Sequence, residues 1–300
     1  MKKKEFVTID AAVKHINQKM KVGNIHLIFS GFSRLDELKQ GWLKGELCVI
    51  GGRPTMGKTG FILSFISNLL IKNIPVSLFS ATDTLNESFL SRVLSILATK
   101  EQECGKEEVE IIKLSDLSKV PLFLNCQYKM TLNYIKENAS SLVKDYSVKC
   151  IFIEDLQSIF YSEENGNSRE GMELICHELK KLARELNVPI IITSDLNRAV
   201  ERREGTWGKE PLLSDLSGSN GIENIADSVI LLHRPEYYKI YQDEKGNSLR
   251  NIIEIKILKN RNRCIGGVTY KFNHIIGKVE EFKSMIPMPM PFKESNLIID

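Results

Sequence analysis

The chain has little of what marks a membrane, secreted or metal-stapled protein. No window approaches the ~20 consecutive apolar residues of a membrane-crossing helix. The basic start Met1-Lys2-Lys3-Lys4 gives way at Phe6-Val7-Thr8-Ile9-Asp10 before a signal-peptide core can form. Six cysteines, at 48, 104, 126, 150, 176 and 264, include no C-x-x-C pair and no Cys/His cluster at zinc spacing. They read as buried free thiols, and a cytoplasmic location is expected. Charge of one sign is scarce too: 41 basic against 38 acidic residues leave a net +3, so any surface for nucleic acid has to be a local patch. No internal repeat is visible, and the proline-rich run after Ile286 is expected to be an unstructured tail, residues 285–300.

What is present is ordinary core-forming material, with 42% hydrophobic and 26% charged residues. Apolar residues at three- and four-residue steps from Thr8 to Met20 predict a short amphipathic helix within residues 1–24, packing on its own domain or on a neighbouring subunit. From there the pattern alternates. Strands are expected at 46–50, 75–80, 120–124, 150–153, 189–195, 228–232 and 252–258, with 267–272 closing the sheet. Helices are expected at 61–70, 85–97, 132–146 and 171–186, and less firmly defined charged sequence at 99–118. Strands alternating with helices predict an α/β domain over 25–284, built on a mainly parallel, twisted sheet covered on both faces. The charged, Gly/Ser-containing stretch 197–219 is expected to be a long functional loop.

The most informative stretch is Gly52-Arg53-Pro54-Thr55-Met56-Gly57-Lys58-Thr59. It fits the phosphate-binding pattern G-x-x-x-x-G-K-[ST], with an apolar strand before it and a helix after it. Gly52 and Gly57 let the backbone approach an anion, so that N–H groups and the helix N-terminus face the phosphates. Lys58 supplies a charge for the β- and γ-phosphates, and Thr59 a hydroxyl for Mg²⁺. ATP with Mg²⁺ is the expected ligand, and nothing in the loop reads the base.

Further motifs accompany it in order: Gly31-Phe32 with Leu35-Asp36, Leu156-Gln157 after Glu154-Asp155, Leu182-Ala183-Arg184-Glu185-Leu186, Ser214-Asp215-Leu216, Ala226-Asp227 and Glu236-Tyr237-Tyr238. Together they resemble the C-terminal motor domain of DnaB-type replicative helicases over residues 25 to 282. The resemblance implies a RecA-like fold and a ring of about six subunits, with ATP between neighbours and single-stranded DNA held by loops in the channel. It also implies a primase or helicase loader as partner. Residues 1–24 would then be the family's linker helix, standing where members carry an N-terminal primase-interacting domain, so that the chain is either a fragment or a shorter relative. Lys259-Asn260-Arg261-Asn262 resembles the family's K-x-R-N stretch, whose cations reach a neighbour's γ-phosphate. Arg198, Arg202, Arg203 and Lys209 become candidate DNA contacts, with Trp207 as a stacking residue.

Departures from the family pattern fall on hydrolysis and coupling positions. Glu154 stands for the strand-end aspartate that serves the metal, with Asp155 next to it, and the extra methylene moves the carboxylate by about 1.5 Å. The general-base glutamate is replaced by Thr82, leaving Asp83 as the nearest acid, and the γ-phosphate-sensing glutamine by Asp195. Ser217 replaces an arginine, and Arg263 and Cys264 a glycine and a proline. Two functions follow. One is an ATP-driven DNA helicase of the DnaB type. The other is a catalytically weakened relative acting as an assembly or loading factor.

Overall fold

The structure, a computed structural model, describes residues 27–81, 92–93, 95–96, 120–161, 169–205, 207–216, 219–261 and 263–282. The expected linker helix, Thr82 and Asp83, the stretch 99–118 and the tail lie outside these residues.

Strands β1 (Leu47–Gly52), β2 (Val76–Ser80), β3 (Leu122–Cys126), β4 (Met130–Thr131), β5 (Cys150–Glu154), β6 (Ile159–Phe160), β7 (Ile190–Asp195), β8 (Ser228–His233), β9 (Ile252–Asn260), β10 (Gly266–Asn273) and β11 (Lys278–Glu280) follow one another along the chain. Among the described residues they make a nine-stranded sheet in the order β11-β10-β9-β8-β1-β7-β5-β2-β3, and β4 pairs with β6 in a small second sheet. The six strands from β3 to β8 in that order are parallel, while β9, β10 and β11 run antiparallel at one side. Sequence reading placed the end of the sheet at 267–272. The structure adds β11 outside it, a three-residue strand too short and polar to show a period.

Side chains alternate across the central strands, so the sheet feeds two cores. In β1, Leu47 and Val49 enter one and Cys48 and Ile50 the other; β5 divides likewise, with Ile151 and Ile153 against Cys150 and Phe152. One face is covered by the P-loop helix (Lys58–Ile71), where Phe65 meets Phe152 edge-on at 5.2 Å and Trp42 at 4.7 Å. Each such ring contributes roughly 1.5–3 kcal/mol by burial. The other face is covered by helices Leu132–Tyr146 and Arg169–Leu186. The first is capped by the Thr131 hydroxyl, which accepts from Tyr134 N at 3.2 Å. The second buries Met172, Ile175, Cys176, Leu179, Leu182 and Ala183, a stripe at helical spacing, while Leu174 points outward.

The expectation of buried thiols holds for Cys48, Cys150 and Cys176, whereas Cys264 is exposed at the β9–β10 turn. Parallel pairing aligns strand ends. Gly52 pairs with Asp195 and Ser80 with Glu154, so β1, β7, β5 and β2 all finish at one edge of the sheet. Ligand crevices of open α/β sheets form at such carboxyl ends.

Candidate nucleotide-binding site

The loop after β1 is shaped for close approach by an anion. Gly57 caps the 14-residue P-loop helix at φ 94°, and a Cβ there would stand 2.9 Å from the Phe272 ring, so only glycine fits. No acidic residue occupies the helix's first turn, leaving its N–H groups and dipole unopposed. Met56 is buried, its N–H donating to Arg53 O at 3.2 Å, so it offers a ligand only its backbone; Pro54 and Thr55 are exposed.

Lys58 lies against the loop. Its Nζ donates to Gly52 O at 2.8 Å and Arg53 O at 3.4 Å, and pairs with Asp195 Oδ1 at 2.7 Å. The anion that replaces the expected glutamine is thus screened by the phosphate-binding lysine. Gln157 holds Asp195 from behind, accepting from its N–H at 3.1 Å and donating to Ser194 Oγ at 3.0 Å.

Of the two candidate metal carboxylates, the structure brings one to Thr59. The Thr59 hydroxyl donates to Glu154 Oε1. Asp155 turns away at φ 124° and caps the short 3₁₀ turn Leu156–Ser158, accepting from Gln157 N at 3.4 Å and Ser158 Oγ at 3.2 Å. Burial, then the neighbouring Asp195, pushes its carboxyl above the usual range. A hydroxyl touching a carboxylate at the edge of a phosphate cradle is the hard oxygen set that a largely hydrated Mg²⁺ accepts, so the residues fit the ion.

A cleft of about 480 Å³ opens beside the loop, walled by Lys58, Thr59, Arg234, Phe272, His274 and Gly277 among others. Sequence reasoning missed Arg234. Its guanidinium lies 4.2 Å over the Phe272 ring, donates to Thr55 O at 3.1 Å and pairs with Glu236, whose other oxygen accepts from Asn251 N at 2.7 Å. The signal was its place, directly after β8 and ahead of Pro235.

Lys259 and Arg261 sit elsewhere. Lys259 pairs with Val229, which pairs with Val49, so these cations lie toward the opposite edge of the sheet from Gly52. That is at least about 10 Å along the strands and two strand spacings across from the loop. Lys259 Nζ donates to the carbonyls of Glu223 and Asn224, and Arg261 donates to Asn224 O at 2.9 Å with Asp227 Oδ1 3.5 Å away. Burial, then Arg261, lowers the Lys259 pKa. Neither side chain reaches the P-loop of its own chain.

Asn197–Asp215 is less a free loop than its composition predicts. It holds the one-turn helix Ala199–Arg202 and closes at its base, where Leu196 bridges Leu216 and Asn197 N donates to Asp215 O at 2.6 Å. Arg203 serves the loop itself: it pairs with the buried Asp215 and donates to Glu210 O at 3.1 Å. Lys209 donates to Glu201 O, while Arg198 and Arg202 are exposed; the Trp207 ring lies outside the described residues.

Comparison with known proteins agrees with this geometry. A family model, the DnaB-like helicase C terminal domain, matches residues 28–282. The replicative DNA helicase DnaB of Geobacillus stearothermophilus is 32% identical over 293 residues, covering 92% of this chain and 60% of that protein. A probable replicative DNA helicase of Trieres chinensis is 34% identical over 257 residues, covering 81% of this chain and 55% of that protein. The chain therefore spans a little over half the length of these curated relatives. Among solved structures, an isolated ATPase domain superposes with a TM-score of 0.76 at 26% identity, over 93% of this chain and 100% of that one. A DnaB-like replicative helicase, described with its interactions with primase, gives 0.75 at 26% identity, over 93% and 68%.

Proposed function

Since this chain belongs to the family of DnaB-like helicase C-terminal domains, we propose that it is the ATP-driven motor of a replicative DNA helicase, working as a ring on single-stranded DNA. The observation that carries the reading is the division of cations between two edges of the sheet. Lys58 and Thr59 stand at the nucleotide edge, and Lys259 and Arg261 stand where only another subunit's nucleotide can meet them.

In this reading the P-loop amides and Lys58 hold the triphosphate, and the loop shape fixes its direction. Mg²⁺, when bound, neutralises charge on the β- and γ-oxygens. Thr59 and Glu154 hold that ion from the chain's side, while Asp155 keeps the strand end in place. Lys259 and Arg261 of an adjacent copy complete the site, stabilising charge on the transferring phosphoryl group. Asp83 is the nearest acid for the attacking water. Arg198 and Arg202 meet the strand's phosphates, with Lys209 and Arg203 shaping the loop that carries them. A primase or a helicase loader is the expected protein partner. Among the described residues no helix is long and apolar enough to cross a membrane.

The test is steady-state ATP turnover with and without single-stranded DNA, beside displacement of a strand from a forked duplex. The reading expects DNA-stimulated turnover and strand displacement, both lost on Lys58→Ala. Turnover that persists in Lys58→Ala, or that DNA leaves unchanged, contradicts it.

A further inference from the structure

The P-loop and the Asn197–Asp215 loop leave neighbouring strands side by side, β1 at Gly52 and β7 at Asp195. Arg53, the next residue after Gly52, spans the gap between them. Its Nη1 donates to Leu196 O at 2.8 Å, and its Nε and Nη2 both donate to Glu201 Oε1, at 2.9 and 2.8 Å. The Arg53 side chain is only 11% exposed, so the fork is held rather than sampled. Glu201 lies in the one-turn helix with Arg202, three residues after Arg198. That helix belongs to a segment tied to itself by Arg203, Asp215 and the Leu196–Leu216 bridge, which can move as a unit.

The other end of the connection is set by Lys58. The same lysine that must take up phosphate donates to the carbonyls of Gly52 and Arg53. When phosphate draws Lys58 away, those carbonyls lose their donor, and the peptide carrying Arg53 is the one released. We propose that the Arg53–Glu201 pair is the strut through which nucleotide in the P-loop repositions the basic loop, and with it Arg198 and Arg202. The inference rests on the reading of the P-loop as a nucleotide site and of the basic loop as the single-strand surface, and it adds a named positioning residue, Glu201, that touches neither ligand.

Glu201→Gln keeps the shape of the side chain and removes its charge. The first readout is hydrogen exchange of the segment 197–205 in the whole chain, with and without Mg²⁺ and a non-hydrolysable ATP analogue. Wild type should show nucleotide-dependent exchange there. Glu201→Gln should lose that response while binding the analogue within about twofold of wild type and melting at the same temperature, as expected for a neutral surface change. The second readout is binding of a fluorescent oligothymidylate. The analogue should change wild-type affinity by about fivefold or more, the lower range of coupling between sites, and the factor should fall to about one in Glu201→Gln. An exchange response that is missing in wild type, or equal in the two proteins, overturns the strut. Loss of the exchange response without any oligothymidylate binding supports the strut and instead removes the reading of the loop as a DNA surface.

Discussion

Replacing Asp195 with Asn is expected to tighten nucleotide binding about tenfold or more. The Asp195 carboxylate sits 2.7 Å from Lys58 Nζ, with Lys58 14% and Asp195 37% exposed. Two unit charges about 4 Å apart attract by about 4 kcal/mol at an effective dielectric of 20, an upper bound. Exposure of Asp195 reduces the net value of the pair to about 1 kcal/mol. Triphosphate has to compete with that pairing. It also brings negative charge toward the same carboxylate, and at about 6 Å in a half-solvated cleft this repulsion adds about 1 kcal/mol. The sum, about 2 kcal/mol, corresponds to roughly 10- to 30-fold in Kd. Asn is nearly isosteric, and Asp195 N–H still donates to Gln157, so the strand end is preserved. The assay is titration with a fluorescent ATP analogue at low and high salt, with Lys58→Ala and the double variant beside it. The gain should shrink with salt and vanish in the Lys58→Ala background. Affinity that is unchanged or weaker in Asp195→Asn refutes the argument, because the carboxylate would then be part of the cradle and not its competitor.

Other outcomes follow from the same structure. A Cβ at Gly51 would stand 2.5 Å from Leu231 Cδ2 and 2.9 Å from Leu216 Cδ2, so Gly51→Ala should cost about 1–3 kcal/mol, read as a lower urea midpoint. Burial holds the His233 pKa down to about 4, so between that value and about 6.5 the unfolded chain binds a proton the folded one refuses. Stability from this group is present above pH 6.5 and lost as pH falls toward 4, about 3 kcal/mol in all. Glu254, paired across the strands from His233 and raised by burial to about 7, titrates in the opposing sense. The His233 contribution is therefore read as the difference between wild type and His233→Gln in urea melts at pH 4.5 and 7, and equal slopes would contradict it. Thr82→Glu, which places a carboxylate where the family resemblance expects the general base, should raise ATP turnover by about tenfold or more. An unchanged rate would assign the base to another group.

The parallel core was legible because its strands are short and almost wholly apolar. Cys150–Ile153 and Ile190–Ile192 admit no other reading between helical segments, and the helix Leu132–Tyr146 has the bounds its periodicity predicted. The P-loop was legible because its residues are contiguous. What escaped the sequence was the pairing of residues far apart along it. Arg203 looked like a DNA contact because it is basic and lies in a basic loop, yet the buried Asp215 twelve residues on requires a counter-charge and takes it. Arg234, Glu201 and the choice of Glu154 over Asp155 at Thr59 likewise depend on which strand ends lie side by side. That Asp195 needed screening was foreseeable from its charge, and the sheet register then puts Lys58 within reach.

The central claim is that each ATP site is built from two copies of this chain, and mixing subunits tests it most directly. Lys58→Ala and Arg261→Ala are each expected to be nearly silent in DNA-stimulated ATP turnover. Co-assembled in equal amounts they should regain activity, because an Arg261→Ala subunit keeps its P-loop and a Lys58→Ala neighbour keeps its cations, at about a quarter of the interfaces in a randomly mixed ring. Recovery of turnover confirms the composite site. An Arg261→Ala protein that is fully active, or a mixed assembly as silent as its parts, contradicts it.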